Sequence, residues 1–200
     1  MEVVLHGVIL AFGLILPLGV QNVFIFSQGA TQPSLVRALP ATLTAAICDS
    51  VLILLAVYGL SLVILQYEGL RMMLMAAGIL FLLYMSYSIW RATPTEANVA
   101  NALPMKKQIL FALTVSLLNP HAILDIVGVI GTSALKYSGY ELVLFTVACI
   151  AVSWLWFFAL MIAGSRIKKF GNQLVIMTVF NKFSAIFILG MAIYLAIGLM

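Results

Sequence analysis

From Met72 to Trp90, and again from Leu142 to Ser165, the chain runs without a single Asp, Glu, Lys or Arg. Four more stretches are nearly as clean. Val3 to Val36 and Phe183 to Met200 carry no formal charge, Ala38 to Tyr67 contains only Asp49, and Gln108 to Leu135 contains only Asp125. A membrane helix needs about 20 mostly apolar residues. The six stretches therefore predict six transmembrane helices, the last starting a turn or two early with Lys182 snorkelling to the interface. Charged residues make up only 8 % of the chain, against roughly 25 % in soluble domains. So few charges cannot cover a water-exposed surface. That excludes a cytosolic enzyme, a nucleic-acid binder and a disordered chain. The start, Met1-Glu2-Val3-Val4, has no basic leader and reads as the beginning of the first span rather than a removable signal.

The basic residues set an orientation. Arg37, Arg91, Lys106, Lys107, Arg166, Lys168, Lys169 and Lys182 fall in the first, third and fifth connections or at their edge, and only Arg71 and Lys136 in the second and fourth. The positive-inside rule then puts the odd connections in the cytoplasm and both termini outside. The expected location is the cell membrane. The basic pI of 9.2 reflects this topology rather than a surface for nucleic acid. The two cysteines, Cys48 and Cys149, sit inside apolar runs and read as small buried side chains. No metal-ligand spacing and no cofactor motif is expected.

An internal repeat organises the polar residues. Leu16-Pro17 in helix one is followed, five residues after the proline, by Asn22; Asn119-Pro120 in helix four is followed at the same offset by Asp125. Asp49 lies 32 residues beyond Pro17, and Ser153 lies 33 beyond Pro120. A three-helix unit repeated once must be inverted, since three is odd. The expected architecture is all-α, a polytopic membrane protein of six transmembrane helices in two inverted three-helix repeats. Residues 1–90 form the first half, 91–107 a cytoplasmic linker and 108–200 the second half. Paired proline-broken helices in inverted repeats are a pattern of secondary transporters, whose sites lie where the halves meet.

Asp49 and Asp125 are the principal candidates. A carboxylate at the centre of a bilayer costs about 2.5–3.5 kcal/mol on insertion scales, so each should face a cavity or a partner. It could hold a cationic substrate, carry a proton, or both; the structural alternative is a hydrogen bond between helices. Pro120 has no N–H to give to Ser116 and pushes Asn119 out of helical geometry. His121 and Asp125 are one turn apart and share a helix face. Pro17, flanked by Gly13 and Gly19, should break helix one in the same way. Beside it, Gln21 and Asn22 bind either the charged ends of a zwitterion or a neighbouring helix. Ser153 is the expected contributor from helix five, while Trp154, Trp156, Phe157 and Phe158 read mainly as packing or lipid-facing surface. Tyr58, Tyr84, Tyr87 and Trp90 read as interface anchors.

Leu16-Pro17-Leu18-Gly19-Val20-Gln21-Asn22-Val23-Phe24, Asp49-Ser50, Leu118-Asn119-Pro120-His121 with Leu124-Asp125, and Ser153 through Phe158 together resemble the LysE/ArgO amino-acid exporters of the LysE superfamily. The resemblance runs over nearly the whole chain. It implies six apolar spans and export of lysine, arginine or their analogues, driven by the membrane potential or a proton gradient, with Asp49 and Asp125 as the acids and Asn119, Pro120 and His121 as the signature. The homoserine and threonine branch typically lacks an acid where Asp125 stands, which favours a cationic substrate; export of a neutral amino acid is the alternative. An intramembrane aspartyl protease would need Gly-x-Gly-Asp, which is absent. An acyltransferase His-x4-Asp is one residue longer than His121-x3-Asp125. A water channel would need a second Asn-Pro copy in helix one. A purely structural subunit leaves two unpaired acids unexplained. The expected partners are an amino-acid substrate and membrane lipid, with no nucleic acid; homodimerisation stays open for so small a bundle.

Overall fold

The computed structural model of the protein describes residues 1–16, 19–60, 68–91, 102–119, 122–123, 126–167 and 173–197, and the regular elements among them are all helical. Seven helices are used below: α1 (Glu2–Ile15), α2 (Val20–Thr31), α3 (Leu35–Leu55), α4 (Glu68–Arg91), α5 (Met105–Leu117), α6 (Gly139–Ile167) and α7 (Gln173–Ile197). Two wider π-type stretches, Ala56–Leu60 and Ile126–Gly131, continue α3 and precede a short turn at Thr132–Ala134.

The breaks follow local chemistry. α1 stops at Ile15, and α2 restarts behind Gly19, whose ψ of 171° is extended. Between them the sequence has Pro17, with no N–H to extend a helix. The first uncharged run, expected to supply one span and a connection, therefore forms two helices whose axes meet at 81°. Gln32 precedes Pro33 and takes the extended backbone that position demands, ending α2. The π-type stretch after α3 ends in a kink at Gly59, whose φ of 147° favours glycine. By length and composition, Leu35–Gly59 and Gly139–Ile167 are long and apolar enough to cross a bilayer, and the bent α1–α2 pair is a third if it counts as one span.

α6 is the central element. It packs along α1, α2 and α3, while α3 packs on α5 and α4 on α7. The two π-type stretches pack on each other. A small-residue face of α3 (Ala38, Ala41, Ala45, Ala46) meets Phe24, Ile25, Phe157 and Met161. Alanines let backbones approach, which is how membrane helices gain contact without a hydrophobic drive. The approach is closest between α2 and α6. A Cβ built on Gly29 would stand 2.2 Å from the Met161 carbonyl oxygen, and one on Gly164 2.2 Å from that of Phe26. Only glycine fits at either position. Ser86, buried on α4, donates to the Ala185 carbonyl of α7 over 2.8 Å.

Candidate functional site

A cavity of about 100 Å³ opens where the helix breaks converge. At roughly 10–15 Å³ for one water, it has room for several. Its walls are mostly apolar, with Ile15, Ile53, Leu82, Ile126, Ile130, Phe157 and Ile188 among them. Five polar side chains interrupt them: Gln21, Asn22, Asp49, Asn119 and Ser153. Each had been singled out in the sequence, and the fold brings all five to one place. Gly19, expected at the helix break, lines the same cavity.

Asp49 projects from the middle of α3 and is buried. Gln21 Nε2 donates to its Oδ1 at 3.3 Å, and Ser153 of α6 stands beside the carboxyl group. No ion pair reaches Asp49 among the described residues. Asn22 Nδ2 donates to the Ile15 carbonyl over 2.8 Å, so the amide after the break satisfies a backbone acceptor before it. That contact is the helix-to-helix alternative expected for Asn22, and the same residue also lines the cavity. Asn119 is 6 % exposed and follows the end of α5. Its Oδ1 is buried with no hydrogen-bond partner among the described residues. Buried polar atoms are nearly always paired, so this acceptor is ready for a donor in the cavity.

Pro17, Pro120, His121 and Asp125 lie outside the described residues, as does most of the 91–107 segment. The rest of the anchoring pattern is visible. Tyr58, Tyr84, Tyr87 and Trp90 are exposed, Arg91 lies over the Tyr87 ring, and Lys182 donates to the Trp90 carbonyl and covers its ring. Cys48 and Cys149 are free and buried.

Phe157, expected as packing or lipid-facing surface, packs in the core at 1 % exposed and also lines the cavity, which its sequence reading did not include. Its spacing of one turn from Ser153 was the available signal, since residues four apart share a helix face. Ile53 stands in the same relation to Asp49 and also lines the cavity. Trp154 points the other way and donates its Nε1 to Ser50 Oγ at 2.9 Å.

This polar constellation in an apolar wall suits a small zwitterion or cation: one carboxyl group, three carboxamides and one hydroxyl. The family model for LysE type translocators matches residues 12–199. The chain is 51 % identical over 200 residues to the Bacillus subtilis (strain 168) protein named "Putative amino-acid transporter YisU", covering all of this chain and 91 % of that protein. It is 30 % identical over 199 residues to the arginine exporter protein ArgO of Pectobacterium carotovorum subsp. carotovorum (strain PC1), covering 97 % and 96 %. The ArgO of Escherichia coli O157:H7 is 32 % identical over 165 residues, covering 80 % and 77 %. No solved structure gives a significant match.

Proposed function

The chain belongs to the LysE type translocator family, and from that premise we propose that it exports basic amino acids, arginine foremost, from the cytoplasm by alternating access. Members of the family are amino-acid transporters, not enzymes. The observation that carries the finer reading is Asp49: a buried carboxyl group facing a cavity, with a carboxamide and a hydroxyl beside it and no cationic side chain neutralising it among the described residues. A guanidinium or ammonium group of the substrate supplies the missing charge. The carboxamides of Asn22, Gln21 and Asn119 and the Ser153 hydroxyl serve its remaining polar groups. Asp125, matched to Asn22 by the repeat, is the second counter-charge or the proton carrier, with His121 one turn away. Protonating a carboxylate loosens its hold on a cation and gives a release step.

In this reading six spans form two inverted halves, 1–90 and 108–200, joined through 91–107. The packing supports it. α4 pairs with α7, and α6 rests on the broken α1–α2 helix as α3 rests on α5 and the Ile126–Gly131 stretch. Arg37 and Gln108 meet at one end of the bundle, close to Lys106 and Lys107, and this basic end is cytoplasmic. Both termini then lie outside.

The test is efflux from proteoliposomes loaded with radiolabelled arginine, lysine or a neutral amino acid. Arginine efflux that Asp49→Asn and Asp125→Asn each abolish, with both variants still folded, is the expected result. Export of a neutral amino acid alone overturns the cationic assignment. No movement of any amino acid overturns the export reading for this chain.

A further inference from the structure

Two polar contacts flank the cavity-lining residues of α1 and α2, and neither takes part in substrate binding in the export reading. At one end His6 Nδ1 and the Tyr137 hydroxyl stand 2.7 Å apart. Both rings also pack on Phe145, with centroids 5.7 and 5.2 Å away. At the other end Gln108 Nε2 donates to the Arg37 carbonyl at 3.0 Å and the Leu103 carbonyl at 2.9 Å. Gln32 Nε2 donates to the same Leu103 carbonyl at 2.9 Å and to Gln28 Oε1 at 3.1 Å. Gln28, Gln32 and Gln108 are all buried. Between the two contacts lie the cavity-lining residues of α1 and α2, Ala11 through Asn22. His6 is five residues before the first and Gln28 six after the last, or about 7–9 Å of helix at each end.

The contacts are counterparts in the repeat. Pro120 follows Pro17 by 103 residues. The same offset carries His6 to position 109, next to Gln108, and carries Tyr137 back to position 34, between Gln32 and Arg37. Each contact therefore ties the first turns of one half's broken helix to the chain just past the other half's broken helix. These are the junctions that must part, one at a time, if the halves rock about a fixed site. Both are hydrogen bonds rather than ion pairs to a carboxylate, and a single hydrogen bond has a small net strength and can be exchanged for water. The glutamine contact also holds an acceptor in reserve: Gln108 Oε1 is buried with no partner among the described residues.

We infer that His6–Tyr137 and Gln32–Gln108–Arg37 are the two gates of the cavity, both contacts made in this structure and opened in alternation. The inference rests on the export reading only for the premise that the cavity is exposed to each side in turn.

The test reads access to the cavity, not transport. Ala122, on the cavity wall, is replaced by cysteine in a chain whose Cys48 and Cys149 are alanine. Labelling by a membrane-impermeant maleimide is then measured from each face of sealed vesicles. Tyr137→Phe keeps the ring and removes the hydroxyl; it should raise labelling from the His6 end about fivefold relative to the other end, the factor set by one hydrogen bond of typical net strength. Gln108→Leu should shift the ratio about as far in the opposite sense, and the double variant should return it toward the parent. His6→Phe and Gln32→Leu repeat the two patterns, so a single misfolded variant does not decide the outcome. An unchanged ratio, or a rise from both faces in every variant, overturns the gates. Ratios that shift without efflux of any amino acid sink the export reading and leave the gates; efflux with unmoved ratios does the reverse.

Discussion

Asn22 closes the helix that it does not belong to: its Nδ2 donates to the Ile15 carbonyl, 2.8 Å away across the break between α1 and α2. In water a freed carbonyl at a helix end is solvated at no great cost. In an apolar bundle it must find a donor. The side chain thus fixes the position of the break as well as lining the cavity.

Asn22→Leu is expected to leave the Ile15 acceptor unmet while keeping the branching of the side chain. An unsatisfied buried group costs about 1–3 kcal/mol. Unfolding in detergent should show a loss of that size, together with impaired export. Native stability in this variant would remove Asn22 as the brace of the break.

Gln21 is the donor that the Asp49 carboxylate holds in the structure. Hydrogen bonds to charged groups are worth about 1.5–3 kcal/mol. Gln21→Leu should lower arginine export at low substrate by about tenfold or more, whereas Gln21→Asn, which retains a shorter amide, should recover part of it. Equal rates for Leu and Asn would show that the amide is not used.

Gly29 and Gly164 test the closest helix crossing. Each would place a Cβ 2.2 Å from a backbone oxygen of the facing helix, and overpacking of this kind costs about 1–3 kcal/mol or more. Gly164→Ala and Gly29→Ala should lower stability and yield. Gly190→Ala is the control: nothing lies within 4 Å of a Cβ there, and alanine favours a helix by about 1 kcal/mol over glycine. Thermal unfolding of the three variants in one detergent gives the comparison.

Ser153 and Trp154 are neighbours in sequence with different surroundings. Ser153 lines the cavity beside Asp49, while Trp154 bonds Ser50. Ser153→Ala should reduce arginine efflux with stability nearly unchanged. Trp154→Phe should cost about 0.6 kcal/mol, the average for a hydrogen bond between membrane helices, and leave efflux close to native. Efflux assays on both variants at matched protein levels check the pair.

Much of the site was legible before the fold was known, for a reason specific to membranes. In an apolar span a polar side chain is costly wherever it sits, so Asp49, Asn119 and Ser153 stood out without any knowledge of neighbours. Gln21 and Asn22 were drawn in by their proximity to Pro17. The polar contacts at the two ends were not legible. His6 was passed over in an apolar run, and its partner Tyr137 lies 131 residues away. Gln28 and Gln32 lie just before Pro33 and carry no signal of their own in the sequence. Nothing in their spacing reveals that Gln108, 76 residues beyond Gln32, shares the same carbonyl partner.

The sequence by itself determined that the chain is apolar enough for a membrane, where prolines interrupt its apolar runs and which polar side chains need a partner. These are local properties: transfer free energy belongs to each side chain, and a missing N–H belongs to each proline. Only the tertiary structure decided which residues face one another. That depends on the rotation of every helix about its axis and on how closely two backbones can approach, as Gly29 and Gly164 allow against α6 and α2. A rotation of one residue, about 100°, would turn Asp49 away from Gln21 and Ser153 without changing a letter of the pattern.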